Sequence, residues 1–181
     1  LRLETYRMDM ELEGADEHAR ISTEGRSTDY TNYYNHGALD VHTFSKVVYH
    51  DVYPGIDWSI RTTEKGFEYD FIVRPGADPA LISLRFKDHE ELALDDEGSL
   101  IHGNRLGRFD EERPVSFQDH VELETRFRLN GDLLTFEVGE YDHTRELTID
   151  PPRLWGTYYG GTLDDYAQGV ALDASGNVYM A

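Results

Sequence analysis

The sequence predicts an all-β protein, and three observations predict it. Apolar residues recur at every second position in run after run. Turn-forming residues separate the runs at about the 8–12-residue intervals of sandwiches and barrels, and helical spacing nowhere persists beyond about two turns. Together they point to an antiparallel β-sandwich-like domain built from roughly a dozen short strands.

The elements follow in order. Leu1 and Leu3 are out of step with Met8, Met10 and Leu12, as a bulge or bend between them would produce. Tyr30, Tyr33 and Tyr34 sit in a stretch that reads as the pleated surface of a strand. In VVYHDVYPGIDW (47–58), Pro54 has a fixed φ and Gly55 tolerates a positive one, so the chain turns before Ile56 and Trp58 enter the next strand. Phe67, Tyr69, Phe71 and Val73 alternate with polar partners after a turn at Glu64-Lys65-Gly66. Pro75-Gly76 and Asp78-Pro79 frame a loop with at most one helical turn before the alternating Ile82, Leu84 and Phe86. The acidic runs Asp88-His89-Glu90-Glu91 and Asp95-Asp96-Glu97, the second followed by Gly98, read as turns. Asn130-Gly131-Asp132 is the strongest hairpin signal, lying between Val121, Leu123, Phe127, Leu129 and Leu134, Phe136, Val138.

A domain edge is expected at Asp150-Pro151-Pro152, because two prolines cannot donate ladder hydrogen bonds. This gives a domain over 1–150 and a Gly-, Tyr- and Asp-rich segment over 151–181. The segment carries two strand-like pieces, Gly169 to Leu172 and Asn177 to Met180, a single hairpin that is too small to be stable alone. The chain opens and closes inside strand-like sequence, so more chain is expected on both sides.

Composition narrows the function classes. The 181 residues carry 17 Lys+Arg against 36 Asp+Glu, a net charge of −19, and phosphate-backbone binding needs clustered cations, so no nucleic-acid partner is expected. No stretch approaches the roughly 20 apolar residues of a membrane-spanning helix and mean hydropathy is −0.62, so membrane insertion is not expected either. The acidic balance suits a salt-rich habitat or a well-solvated exported surface. Zero cysteines exclude disulfides and thiolate chemistry.

Candidate sites are few. The eight histidines form no zinc-binding spacing. Asp164, Asp165 and Asp173, with carbonyls of the Gly-rich segment, are the candidate oxygen ligands for calcium, although Asp173 serves equally well as a turn-capping side chain. No other cofactor is expected. Tyr30, Tyr33 and Tyr34, with Asn32, Asn35 and His36, form the candidate carbohydrate platform, in which rings stack on a sugar and amides bind its hydroxyls. Trp58 and Trp155 read as core or inter-domain anchors. There is no nucleophile elbow, phosphate loop or dinucleotide fingerprint, and no spacing selects a carboxylate pair, so no enzymatic activity is expected.

Four separated stretches carry a family resemblance: VVYHDVYPGIDW (47–58), FEYDFIVRPGADPALISLRF (67–86), LTIDP (147–151) and GTYYGGTLDDYAQGVALDASGNVYMA (156–181). They are similar to an uncharacterised all-β domain that precedes SBBP-type β-propeller repeats in bacterial and archaeal surface proteins. The last stretch resembles the start of the first repeat, which makes 151–181 a linker and a partial propeller-type repeat. The resemblance implies an extracellular or cell-surface structural module that presents or supports the repeats, without catalytic residues. Its partners would be downstream repeats of the same protein or of a neighbouring subunit, because a repeat unit buries its apolar face against the next one. Two alternatives stand beside this reading: a homo-oligomeric surface filament assembled by β-strand exchange, and a carbohydrate-binding module.

Overall fold

The computed structural model describes residues 9–63, 66–104, 107–151, 170–172 and 178–180. Among the described residues, fifteen strands run in chain order: β1 (Asp9–Leu12), β2 (Arg20–Tyr33), β3 (Ala38–Tyr53), β4 (Ile56–Thr63), β5 (Gly66–Val73), β6 (Ser83–Lys87), β7 (Glu91–Leu94), β8 (Leu100–Asn104), β9 (Gly107–Glu111), β10 (Val115–Gln118), β11 (Val121–Asn130), β12 (Leu133–Val138), β13 (Leu147–Asp150), β14 (Val170–Leu172) and β15 (Val178–Met180). Two 3-10 turns, Tyr34–His36 and Pro79–Leu81, are the only helical pieces among the described residues. The second is the single turn expected before Ile82, capped by the Asp78 side chain accepting from the Ala80 N–H.

Ten strands form one antiparallel sheet in the order β1-β6-β12-β11-β10-β13-β5-β4-β3-β2. The sheet folds over on itself at β11, whose first residues pair with β10 and whose last six pair with β12. Phe71 on β5 and Phe136 on β12 have three strands between them in the sheet, yet their ring centroids lie 5.8 Å apart across the interior. The far end of β3 also comes back against the opposite edge. The Tyr53 hydroxyl donates to the Glu13 and Ser83 carbonyls at 3.1 Å each, and the Asp16 N–H donates to the Val52 carbonyl at 2.8 Å. The two layers of the expected sandwich are therefore halves of one continuous sheet.

The period-two residues, joined by Leu147 and Ile149 of β13, fill the space between those halves. Tyr69, Phe71 and Val73 from β5, Ile82, Leu84 and Phe86 at β6, Phe127, Leu134 and Phe136 from β11 and β12, and Leu147 and Ile149 from β13 share one buried cluster. The separate β7-β8-β9 sheet lies against this core, with Leu100 fully buried in it and the Tyr69 hydroxyl donating to Glu111 of β9 at 3.1 Å. Trp58 packs on the core through Tyr49 and Tyr69, as expected of an anchor. Trp155 lies outside the described residues.

Turn chemistry matches the sequence at Tyr53-Pro54-Gly55, where Gly55 has φ +77 and Tyr53 pairs with Ile56 across a tight hairpin. Asn130 likewise pairs with Leu133 across the Asn-Gly turn. Two expectations need correction. Val121 alternates with Leu123 and Phe127 but is 62% exposed, because it opens β11 at the end remote from the core, directly after Asp119 and His120, both at positive φ. The strands are also not all short: β2 has 14 residues and β3 has 16, and together they form an arm that projects past the core. Beyond Asp150, β14 and β15 pair antiparallel as a hairpin, Val170 with Met180 and Leu172 with Val178.

Candidate functional site

The arm carries the aromatic candidates. Tyr30 and Tyr33 lie in β2 and Tyr34 opens the 3-10 turn that reverses the chain, so all three gather at the arm's end with Leu39 and Val41 of β3. All five are exposed, Tyr34 by 78% and Tyr30 by 59%. Ladder irregularities between Arg26 and Tyr30 and between Thr31 and Tyr33 offset this end from the rest of the hairpin. Gly25 is where the strand gives: its φ is +64, and a Cβ there would collide with the Ser45 side chain.

Two polar side chains beside the tyrosines, Asn32 and His42, are engaged in the arm's own structure. Asn32 accepts the Asp40 N–H at 2.8 Å through Oδ1 and donates weakly to the Tyr34 hydroxyl at 3.4 Å through Nδ2. His42 packs on Tyr30 and bonds the Ser27 carbonyl at 2.9 Å. The exposed rings therefore share the arm's end, and the Asn32 amide expected to read sugar hydroxyls is bonded within the turn.

The calcium candidates Asp164, Asp165 and Asp173 lie outside the described residues. Among the described residues, no group of three or more His, Asp or Glu side chains converges on a point where a metal ion would sit.

Two polar networks built on β2, β3, β4, β5 and β13 lie outside the candidate sites that the sequence suggests. In the first, one His50 nitrogen, Nε2, lies 2.7 Å from the Ser22 Oγ, and the other, Nδ1, lies 2.9 Å from the Asp57 Oδ2. The Asp57 Oδ1 accepts the Asp51 N–H at 2.9 Å and Arg74 at 2.6 Å, and Arg74 also pairs with the Asp51 carboxylate. Burial would raise the Asp57 carboxyl, but the Asp51 N–H, His50 and Arg74 together outweigh it and hold the group below its ordinary range. Asp51 itself sits at φ +55 in a bulge where the β3–β4 register shifts between Tyr49 and Tyr53.

In the second network Arg61 of β4 pairs with Glu68 and Asp70 of β5 and reaches Asp150 of β13 at 3.4 Å. Burial lifts the Asp150 carboxyl, and Glu68 adds to the lift while Arg61 opposes it. Asp70 Oδ1 and Ser59 Oγ, on residues that face each other across the ladder, are buried with no hydrogen-bond partner among the described residues.

The sequence holds half of the first signal. His50 and Asp57 both fall inside VVYHDVYPGIDW, which reads as a turn motif and also aligns the two side chains across the hairpin. Ser22 is 28 residues away from His50, and only the pairing of β2 with β3 brings the two together.

Comparison with known families decides the membership. The model of a domain of unknown function, DUF7948, matches residues 2–152. The chain belongs to that family. A β-propeller repeat model, SBBP, matches residues 154–181, so the DUF7948 domain is followed directly by a propeller repeat, the arrangement that the resemblance implies. No curated protein and no solved structure matches the chain. A DUF7948 domain joined to a propeller repeat is, at the coarse level, a structural or interaction module.

Proposed function

We propose that this DUF7948 domain is an extracellular or cell-surface scaffold that carries and steadies the β-propeller repeat that follows it. The observation that carries the reading is the adjacency: one family match ends at residue 152 and the other begins at 154, which leaves no length for a flexible tether. A short hairpin such as β14–β15 is marginal alone and gains stability from packed neighbours. The folded-over sheet, with its continuous core, supplies the rigid base for that role. Its partners are then the repeats themselves, from the same chain or from an adjacent one.

The exposed Tyr30, Tyr33, Tyr34, Leu39 and Val41 favour one addition, that the arm's end is where the scaffold touches something else at the surface, a glycan being the candidate ligand. Location is tested by protease treatment of intact cells of the source organism. The scaffold reading predicts that peptides from this domain are released before lysis, and peptides that become accessible only after lysis would contradict it.

A further inference from the structure

Ser22, His50 and Asp57 come from three adjacent strands, β2, β3 and β4, with His50 in the middle. The polarity of this chain of hydrogen bonds is fixed by its buried end. Asp57 already accepts the Asp51 N–H and an Arg74 N–H and is ionised, so it can only accept from His50, which puts the imidazole proton on Nδ1. In the neutral imidazole Nε2 then has a lone pair, and the Ser22 hydroxyl donates to it at 2.7 Å. That is the arrangement of a nucleophile, a general base and an orienting carboxylate. The bulge at Asp51 turns the backbone beside His50 and aims the Asp51 N–H at Asp57, a strained device that a plain ladder does not need.

Access fits the same reading. β2 is the outermost strand of the sheet and Ser22 is partly exposed on it, whereas Asp57 is 9% exposed. Arg20 pairs with His50 across the ladder and is exposed, which places a cation on the same face of the open edge as His50.

We propose that Ser22 is an activated nucleophile and that Ser22, His50 and Asp57 form an acyl-transfer site for small or surface-exposed esters approaching the open edge of β2. The proposal is independent of the scaffold reading. In the first step the Ser22 Oγ attacks the ester carbonyl carbon while its proton moves to the His50 Nε2. The tetrahedral adduct collapses, the C–O bond to the leaving group breaks, and the alkoxide takes the proton from Nε2 to leave as the alcohol. Water then attacks the acyl-Ser22 carbonyl, gives a proton through His50 to the Ser22 Oγ, and releases the carboxylic acid. Asp57 keeps its charge throughout and holds the imidazole in the working tautomer.

The test uses the whole chain, a fluorophosphonate probe with the modified residue located by peptide mass spectrometry, and turnover of p-nitrophenyl acetate. The proposal expects labelling at Ser22 at least about 100-fold faster than at the half-buried Ser27 or the exposed Ser45, the scale of general-base assistance. His50→Ala should lower that rate about 100-fold or more and added imidazole should restore part of it, a rescue that a purely structural histidine would not give. Ser22→Ala should abolish both the label and the turnover above background while leaving the melting temperature within about 4 °C of wild type. Labelling of Ser22 no faster than of Ser27, or a rate in His50→Ala unchanged and indifferent to imidazole, would overturn the proposal.

Discussion

Asp57 and Asp150 lie two strands apart in one sheet and are both largely buried, yet their carboxyls shift in opposite directions. For Asp57, donors on both oxygens outweigh burial. For Asp150, burial prevails because its cation, Arg61, is shared with Glu68 and Asp70. The sign for stability follows. A carboxyl held above its ordinary 3.8 in the folded state binds its proton more tightly there than in the unfolded chain. Its stabilising contribution is complete below pH 3.8 and is lost as pH rises through the folded value. Asp150→Asn removes that loss and leaves Arg61 two carboxylates. The variant should therefore be more stable than wild type at pH 7, by up to about 1 kcal/mol, with the gap closing below pH 4. Melting curves from pH 3 to 7 check this, and a less stable variant at neutral pH would refute it. At this scale the sequence is informative about core residues, because Phe71, Leu84 and Phe136 lie in runs whose period shows them facing inward. It is nearly silent about Ser22, His50, Asp57 and the Arg61 group. A polar residue on a strand looks the same whether it meets solvent or a partner two strands away.

Among the elements, the tight hairpins were legible and the arm was not. Tyr53-Pro54-Gly55 and Asn130-Gly131 announce themselves because only certain residues reach the backbone angles of a tight turn. Gly55 is bound to its place twice over, by φ +77 and by a Cβ that would stand 2.8 Å from the Ala77 Cβ. Gly55→Ala should destabilise the fold by about 1–3 kcal/mol, measured by denaturant unfolding with an unchanged m-value. A loss below about 0.5 kcal/mol would mean that the turn is softer than its geometry implies. The β2–β3 arm escapes a periodicity reading for a physical reason: alternation marks a strand only when one face is buried, and from Gly25 to Val41 both faces of this hairpin meet water. The tyrosines there were legible both as strand residues and as one candidate group, whereas the ladder irregularities beside them have no local signature.

For the whole molecule, the sheet order depends on pairings between distant segments, β1 with β6, β10 with β13 and β13 with β5, none of which a local pattern can specify. The all-β class was legible, and so was the two-layered core, but one strand serving both layers was not: β11 reads as a single alternating run although it pairs with β10 at one end and β12 at the other. This continuity underlies the proposed role, since a sheet with one shared core opens as a unit and would carry its attached hairpin with it. The decisive measurement is hydrogen exchange on the intact chain, comparing wild type with Phe71→Leu, a core substitution expected to cost about 1–2 kcal/mol. If the domain steadies the propeller repeat, amides of β14 and β15 are protected in wild type and lose protection in the variant by about the same factor, roughly tenfold, as amides of β5 and β13. Hairpin amides that are unprotected in wild type, or that keep their protection while the sheet loses its own, would contradict the account.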